Sequence, residues 1–194
     1  MIADIRNPGI KDWKEFVPER KELLSSADHI GDKLILTYMK DASDHAYSYT
    51  LDGKMEHEIK LPMVGSVYFT GKREDRECYY TFRSFTMPNT IYKYDMESGE
   101  SILYKSPKLA FRTNDLVSEQ VFYESKDGTR IPMTLTYRKG MKRNGKNPVF
   151  LYGYGGFAIS LTPSFSAMRI PFIESGGIYA EANIRGGNEY GKEW

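Results

Sequence analysis

The chain has 194 residues, room for one large or two small domains, and 40% hydrophobic with 14% aromatic residues is ample for a packed core. Its 27 basic and 26 acidic residues are interleaved and leave a formal net charge of +1, so no field is present to draw nucleic acid or an anionic membrane surface. The single cysteine, Cys78, cannot form an internal disulfide and has no ligand partners at metal spacing, which argues against an oxidised framework and a zinc site.

Met1 to Asn7 has no basic segment followed by an apolar one, so it does not read as a secretory signal. No run approaches the roughly 20 apolar residues of a membrane span. Pro8 to Arg20 reads as a loop with one short helical turn, anchored by Trp13 and Phe16. Four strands follow at Leu23–Ile30, Lys33–Met39, Ala46–Leu51 and Glu56–Leu61, separated by the turns Gly31-Asp32, Asp41 to Asp44 and Asp52-Gly53. A second set of four is predicted at Ser66–Thr70, Glu77–Arg83, Thr90–Asp95 and Glu100–Lys105, with turns at Gly71 to Asp75 and at Ser98-Gly99. Cys78, followed by Tyr79 and Tyr80, is expected to be a buried strand thiol.

The turns at Asp52-Gly53 and Ser98-Gly99 lie about 46 residues apart, close to one blade of a β-propeller. Two successive four-stranded blades account for this repeat, which an ordinary antiparallel sandwich has no reason to show. Two blades cannot close a ring of four to eight, so their outer faces would need neighbours.

After Pro107 the repeat ends, and a hairpin is expected from Leu116–Tyr123 and Ile131–Tyr137 around Lys126-Asp127-Gly128-Thr129. The charged loop Lys139 to Lys146 leads into a strand at Pro148–Leu151. Ser166–Glu174 allows a short helix limited by Pro171 and ended at Gly176-Gly177, and Ile178–Asn183 reads as the next strand. Strand, crossover and strand suggest the opening of an α/β layer, with a boundary near residue 110 to 120. The fold class expected is thus mixed: a partial β-propeller over residues 1–113, and a truncated α/β unit over residues 114–194.

The richest motif is Leu151-Tyr152-Gly153-Tyr154-Gly155-Gly156-Phe157, where an apolar run is stopped by three glycines in four positions. A Gly-rich loop fed by a strand is where an α/β-hydrolase places oxyanion donors. With Leu161-Thr162-Pro163-Ser164-Phe165-Ser166 and Ala182-Asn183-Ile184-Arg185-Gly186-Gly187-Asn188-Glu189-Tyr190-Gly191, this stretch resembles the prolyl oligopeptidase family of serine peptidases. The resemblance implies a seven-bladed propeller joined to an α/β-hydrolase domain, with this chain carrying the last blades and the opening of the hydrolase. It implies that Tyr154 donates one oxyanion hydrogen bond and that Phe157 lines the pocket for the substrate's proline ring. Gly153, Gly155, Gly156 and Arg185 would shape the loops.

No Gly-x-Ser-x-Gly elbow occurs, and His29, His45 and His57 precede the motif rather than follow it, against the chain order of such a triad. The serine, aspartate and histidine would lie beyond Trp194, so the chain is expected to be an internal fragment without activity of its own. The parent implied is a monomeric, cytoplasmic (alternatively periplasmic) endopeptidase without metal or organic cofactor, acting on short proline-containing peptides. The competing expectation is a non-catalytic propeller-type module that binds peptide or protein. A relative of different specificity is the third reading. The Gly-rich loops lack Gly-x-Gly-x-x-Gly or Walker spacing, which excludes a nucleotide site.

Overall fold

The computed structural model describes residues 1–194 and contains twelve strands in three four-stranded sheets. The first sheet is a meander of β1 (Leu23–Ile30), β2 (Lys33–Lys40), β3 (Ser43–Thr50) and β4 (Met55–Ile59), every neighbour antiparallel. The second repeats the design with β5 (Ser66–Thr70), β6 (Cys78–Arg83), β7 (Thr90–Tyr94) and β8 (Ser101–Lys105). The two sheets do not close a ring.

What joins them is a shared apolar core. Ile30, Ile35, Ala46 and Ile59 of the first sheet meet Phe69, Cys78, Tyr80, Phe82 and Tyr94 of the second, with Met96 beside them. Burial pushes the Cys78 thiol up to about 12, so it is an inert core side chain. The strands of the first sheet alternate, so Leu36, Tyr38 and Tyr49 build a second cluster on the opposite face. There the Arg20 guanidinium sits 4.6 and 4.5 Å from the Tyr38 and Tyr47 rings and donates to the Tyr49 hydroxyl at 2.7 Å.

Two details depart from the sequence expectation. Trp13 is no anchor: it is exposed, its indole N–H donating to the Pro8 carbonyl at 3.1 Å, while half-buried Phe16 packs against Gly53. The turn predicted at Asp41 to Asp44 is only two residues long, so β3 starts at Ser43, paired with Lys40. Asp41 and Ala42 both take positive φ, 49° and 58°, the backbone of a tight hairpin turn. Polar Ser43, Asp44 and His45 gave no strand signal because main-chain pairing, not apolar alternation, extends the ladder.

The third sheet is of another kind. β9 (Leu116–Glu124) and β10 (Arg130–Arg138) form the expected hairpin, while β11 (Val149–Gly153) and β12 (Ile178–Ala182) are parallel neighbours. β10 pairs antiparallel with β12, giving the order β11-β12-β10-β9. The link from β11 to β12 carries a 3-10 turn, Ala167–Arg169, and one short helix, α1 (Ile170–Glu174), with Pro171 in its first turn. Proline suits that position because its missing N–H has no helical partner there. Ile170 and Ile173 of α1 pack with Leu116, Tyr179 and Phe85, the last of these following β6. The first sheet is held to this region by the Asp41 carboxylate, which accepts from the Tyr190 hydroxyl at 2.7 Å, and the second by Ser66, which donates to the Pro163 carbonyl at 3.0 Å.

Candidate functional site

β11 delivers the Gly-rich loop. Gly153 ends the strand, and Tyr154 follows with 37% of its surface exposed. The loop then turns through Phe157 and Ala158, both at positive φ (55° and 53°), which leaves Phe157 90% exposed. Two non-glycine residues in the left-handed region cost on the order of 1 kcal/mol each and persist only where the surroundings hold them.

Those surroundings are the loop after β12. The Ala158 N–H donates to the Gly186 carbonyl at 3.1 Å. Gly155 lies so close to that loop that a Cβ would sit 2.2 Å from the Arg185 carbonyl oxygen, and Gly186, at φ 99°, would place one 2.5 Å from the Gly155 carbonyl oxygen. Glycine is required at both positions because the two backbones touch. Gly156 is different, with only the Tyr154 ring near it.

Arg185 reaches the β9–β10 turn. Its guanidinium pairs with Asp127 at 2.5 Å and donates to the Ser125 hydroxyl at 3.1 Å, tying the loop after β12 to the β9–β10 turn. The hydrogen bond from Arg185 to Asp127 holds the Asp127 carboxyl down at about 2, helped by the Thr129 backbone N–H. The three histidines are dispersed: His29 meets the Gly31 carbonyl, His45 meets Glu58, and His57 lies 2.7 Å from the Tyr94 hydroxyl. No group of three or more His, Cys, Asp or Glu side chains could hold a metal ion, and no helix is long and apolar enough to cross a membrane.

Two carboxylates that the sequence did not single out are buried here. Glu181 on β12 accepts from the Tyr179 hydroxyl at 2.7 Å and lies 3.8 Å from Arg169. Burial pushes its carboxyl up, opposed by that hydrogen bond and by Arg169, and reinforced by the charge of Glu189. Glu189 is fully enclosed, its Oε1 accepting from the Leu161 N–H at 2.8 Å and the Asn183 amide at 3.3 Å. Nothing in Asn188-Glu189-Tyr190 signalled this, since the partner lies 28 residues earlier in the chain. A cavity of about 610 Å³ opens between β11 and α1, with Tyr152, Arg169, Phe172 and Glu181 in its wall; neither Tyr154 nor Phe157 lines it.

Two successive four-stranded meanders sharing one core define a propeller-type β protein, here followed by a mixed sheet that carries a Gly-rich loop. The model of the prolyl oligopeptidase N-terminal β-propeller domain matches residues 1–107, and the chain belongs to the prolyl oligopeptidase family. It is 47% identical over 191 residues to the prolyl endopeptidase of Elizabethkingia meningoseptica, covering 98% of this chain and 27% of that protein. It is 38% identical over 188 residues to the prolyl endopeptidase of Dictyostelium discoideum, with 94% and 25% covered. A structure solved in a structural and mechanistic study of two prolyl endopeptidases superposes with a TM-score of 0.93 at 41% identity, over 99% of this chain and 29% of that one. Prolyl oligopeptidase B of Galerina marginata, bound to a 25mer macrocyclization substrate, gives 0.87 at 32% identity, over 93% and 26%. The chain thus spans about a quarter of the length of the relatives it matches.

Proposed function

We propose that this chain is an internal segment of a serine endopeptidase that hydrolyses short peptides on the carboxyl side of proline. Residues 1–113 are the last blades of its propeller, and residues 114–194 open its α/β-hydrolase domain. The serine, aspartate and histidine of the triad follow in the full-length protein, so the segment alone hydrolyses nothing. The enzyme needs no metal or organic cofactor, acts in the cytoplasm as a monomer, and has neither nucleic acid nor membrane as partner.

The observation that carries this reading is the Gly-rich loop leaving the carboxyl end of a parallel strand, with Tyr154 partly exposed on it. Ligand sites of open α/β sheets lie outside the carboxyl ends of their strands. The order β11-β12-β10-β9 supports it too, since β11 is left at the edge, open to pairing with a further strand, and its apolar side chains are exposed.

In acyl transfer, negative charge builds on the carbonyl oxygen as the nucleophile attacks. The Tyr154 hydroxyl donates to that oxygen, a preset contact worth about 3 kcal/mol. Phe157 offers an apolar face to the proline ring. Gly155 and Gly186 let the two backbones close on each other and fix the direction of Tyr154. Arg185 braces the second loop against the β9–β10 turn and takes no part in the chemistry.

The test is Tyr154→Phe in the full-length protein. With a proline-containing peptide, kcat should fall about a hundred- to a thousandfold with KM nearly unchanged. An unchanged kcat would remove Tyr154 from the oxyanion role.

A further inference from the structure

Glu189 is a carboxylate with 0% exposure in a segment of glycines and polar residues. A buried carboxylate is costly unless it is paired, and no cation reaches this one: its hydrogen bonds come only from the Leu161 backbone and the Asn183 amide, and its Oε2 is buried with no partner. The neighbouring Glu181 is a second buried carboxylate, and the Glu189 charge acts on it. Such an arrangement costs stability that an apolar side chain at position 189 would not.

What it secures is the far end of the Gly-rich loop. From Tyr154 to Leu161 the loop is fastened to the segment after β12 at three heights. Gly155 abuts the Arg185 carbonyl, Ala158 donates to Gly186, and Leu161 donates to Glu189. Asn183 closes the last of these, its amide donating to the Leu161 carbonyl at 2.8 Å as well as to Glu189, so Leu161 is gripped at both backbone groups. Gly187 is a glycine for the same reason, since a Cβ there would lie 2.1 Å from Glu189 Oε2. Between the outer fastenings, Phe157 and Ala158 are held at positive φ, a conformation that relaxes once an end is released.

We infer that Glu189 is a positioning residue for the proposed reaction: through Leu161 and Asn183 it holds the Gly-rich loop in the conformation that aims Tyr154. This rests on the proposed role of Tyr154. Glu189 does not touch the substrate; it acts through the loop backbone.

The experiment compares Glu189→Ala, Glu189→Gln, Tyr154→Phe and the double variant Glu189→Ala/Tyr154→Phe in the full-length protein. It reads kcat and KM on a proline-containing peptide and amide hydrogen exchange over residues 154–161. Glu189→Ala should speed exchange at Leu161 and lower kcat about ten- to a hundredfold with KM little changed, because a misaimed donor weakens only the transition state. Glu189→Gln keeps an acceptor at Oε1 and should restore most of the loss. The double variant should be no slower than Tyr154→Phe alone, since a donor already absent cannot be misaimed.

Unchanged exchange at Leu161 in Glu189→Ala overturns the inference, and so do losses that multiply in the double variant or a loss explained by a smaller folded fraction. If Tyr154→Phe is itself silent, the oxyanion reading fails, and exchange at Leu161 still decides whether Glu189 holds the loop.

Discussion

The pair of meanders and the mixed sheet each use four-stranded sheets, yet they stand differently toward solvent. In the first two sheets the apolar faces cover each other, and Phe82, Tyr80, Ile35 and Ile59 are wholly enclosed. In the third, β12 is buried along nearly its whole length while its parallel neighbour β11 has no buried residue at all. Val149, Phe150 and Leu151 are as apolar as the strands of the blades, so composition does not separate the two cases. Position does: a strand is enclosed when a sheet face or a neighbouring strand covers it, and β11 is the edge of its sheet.

The largest effect should come from the shared core. Phe82→Ala removes a fully enclosed ring and should cost about 3–5 kcal/mol in urea unfolding of the full-length protein. A loss below 1 kcal/mol would mean that the two blades do not depend on each other.

Next in size is Gly155→Ala, where backbone rather than a flexible side chain blocks the new methyl group. Forcing the two loops apart should cost about 1–3 kcal/mol, measured by the same unfolding. A neutral result would show that the loops are not in contact in solution.

The smallest effect should be Leu151→Ser in the 194-residue chain by itself, within about 0.5 kcal/mol because the side chain is 64% exposed there. A loss of several kcal/mol in that chain would erase the contrast between the sheets, whereas the same loss in the full-length protein would show β11 covered by the further strands proposed above.

Much of this architecture was legible in the residues. The turn glycines Gly53 and Gly99 both take positive φ, and their spacing marks the repeat of the two meanders. Pro171 limits the helix as expected, and Gly155 and Gly186 are glycines where two backbones meet. The misreadings have separate causes. Trp13 looked like an anchor because it is large and apolar, but no sheet face lies over it. β3 began earlier than its apolar pattern because Asp41 and Ala42 pay for a tight turn in backbone strain rather than in glycine.

By itself, then, the sequence determined the local order: which segments are strands and where they turn. These depend on residues adjacent in the chain, whose spacing and φ preferences can be read directly. The tertiary structure decided what is enclosed. It turned Arg185 toward Asp127, buried Glu189 against Leu161, bound Tyr190 to Asp41 and left β11 at an edge. The first three join residues 28 to 149 positions apart, and burial and pairing over such distances are properties of the folded chain, not of any stretch of it.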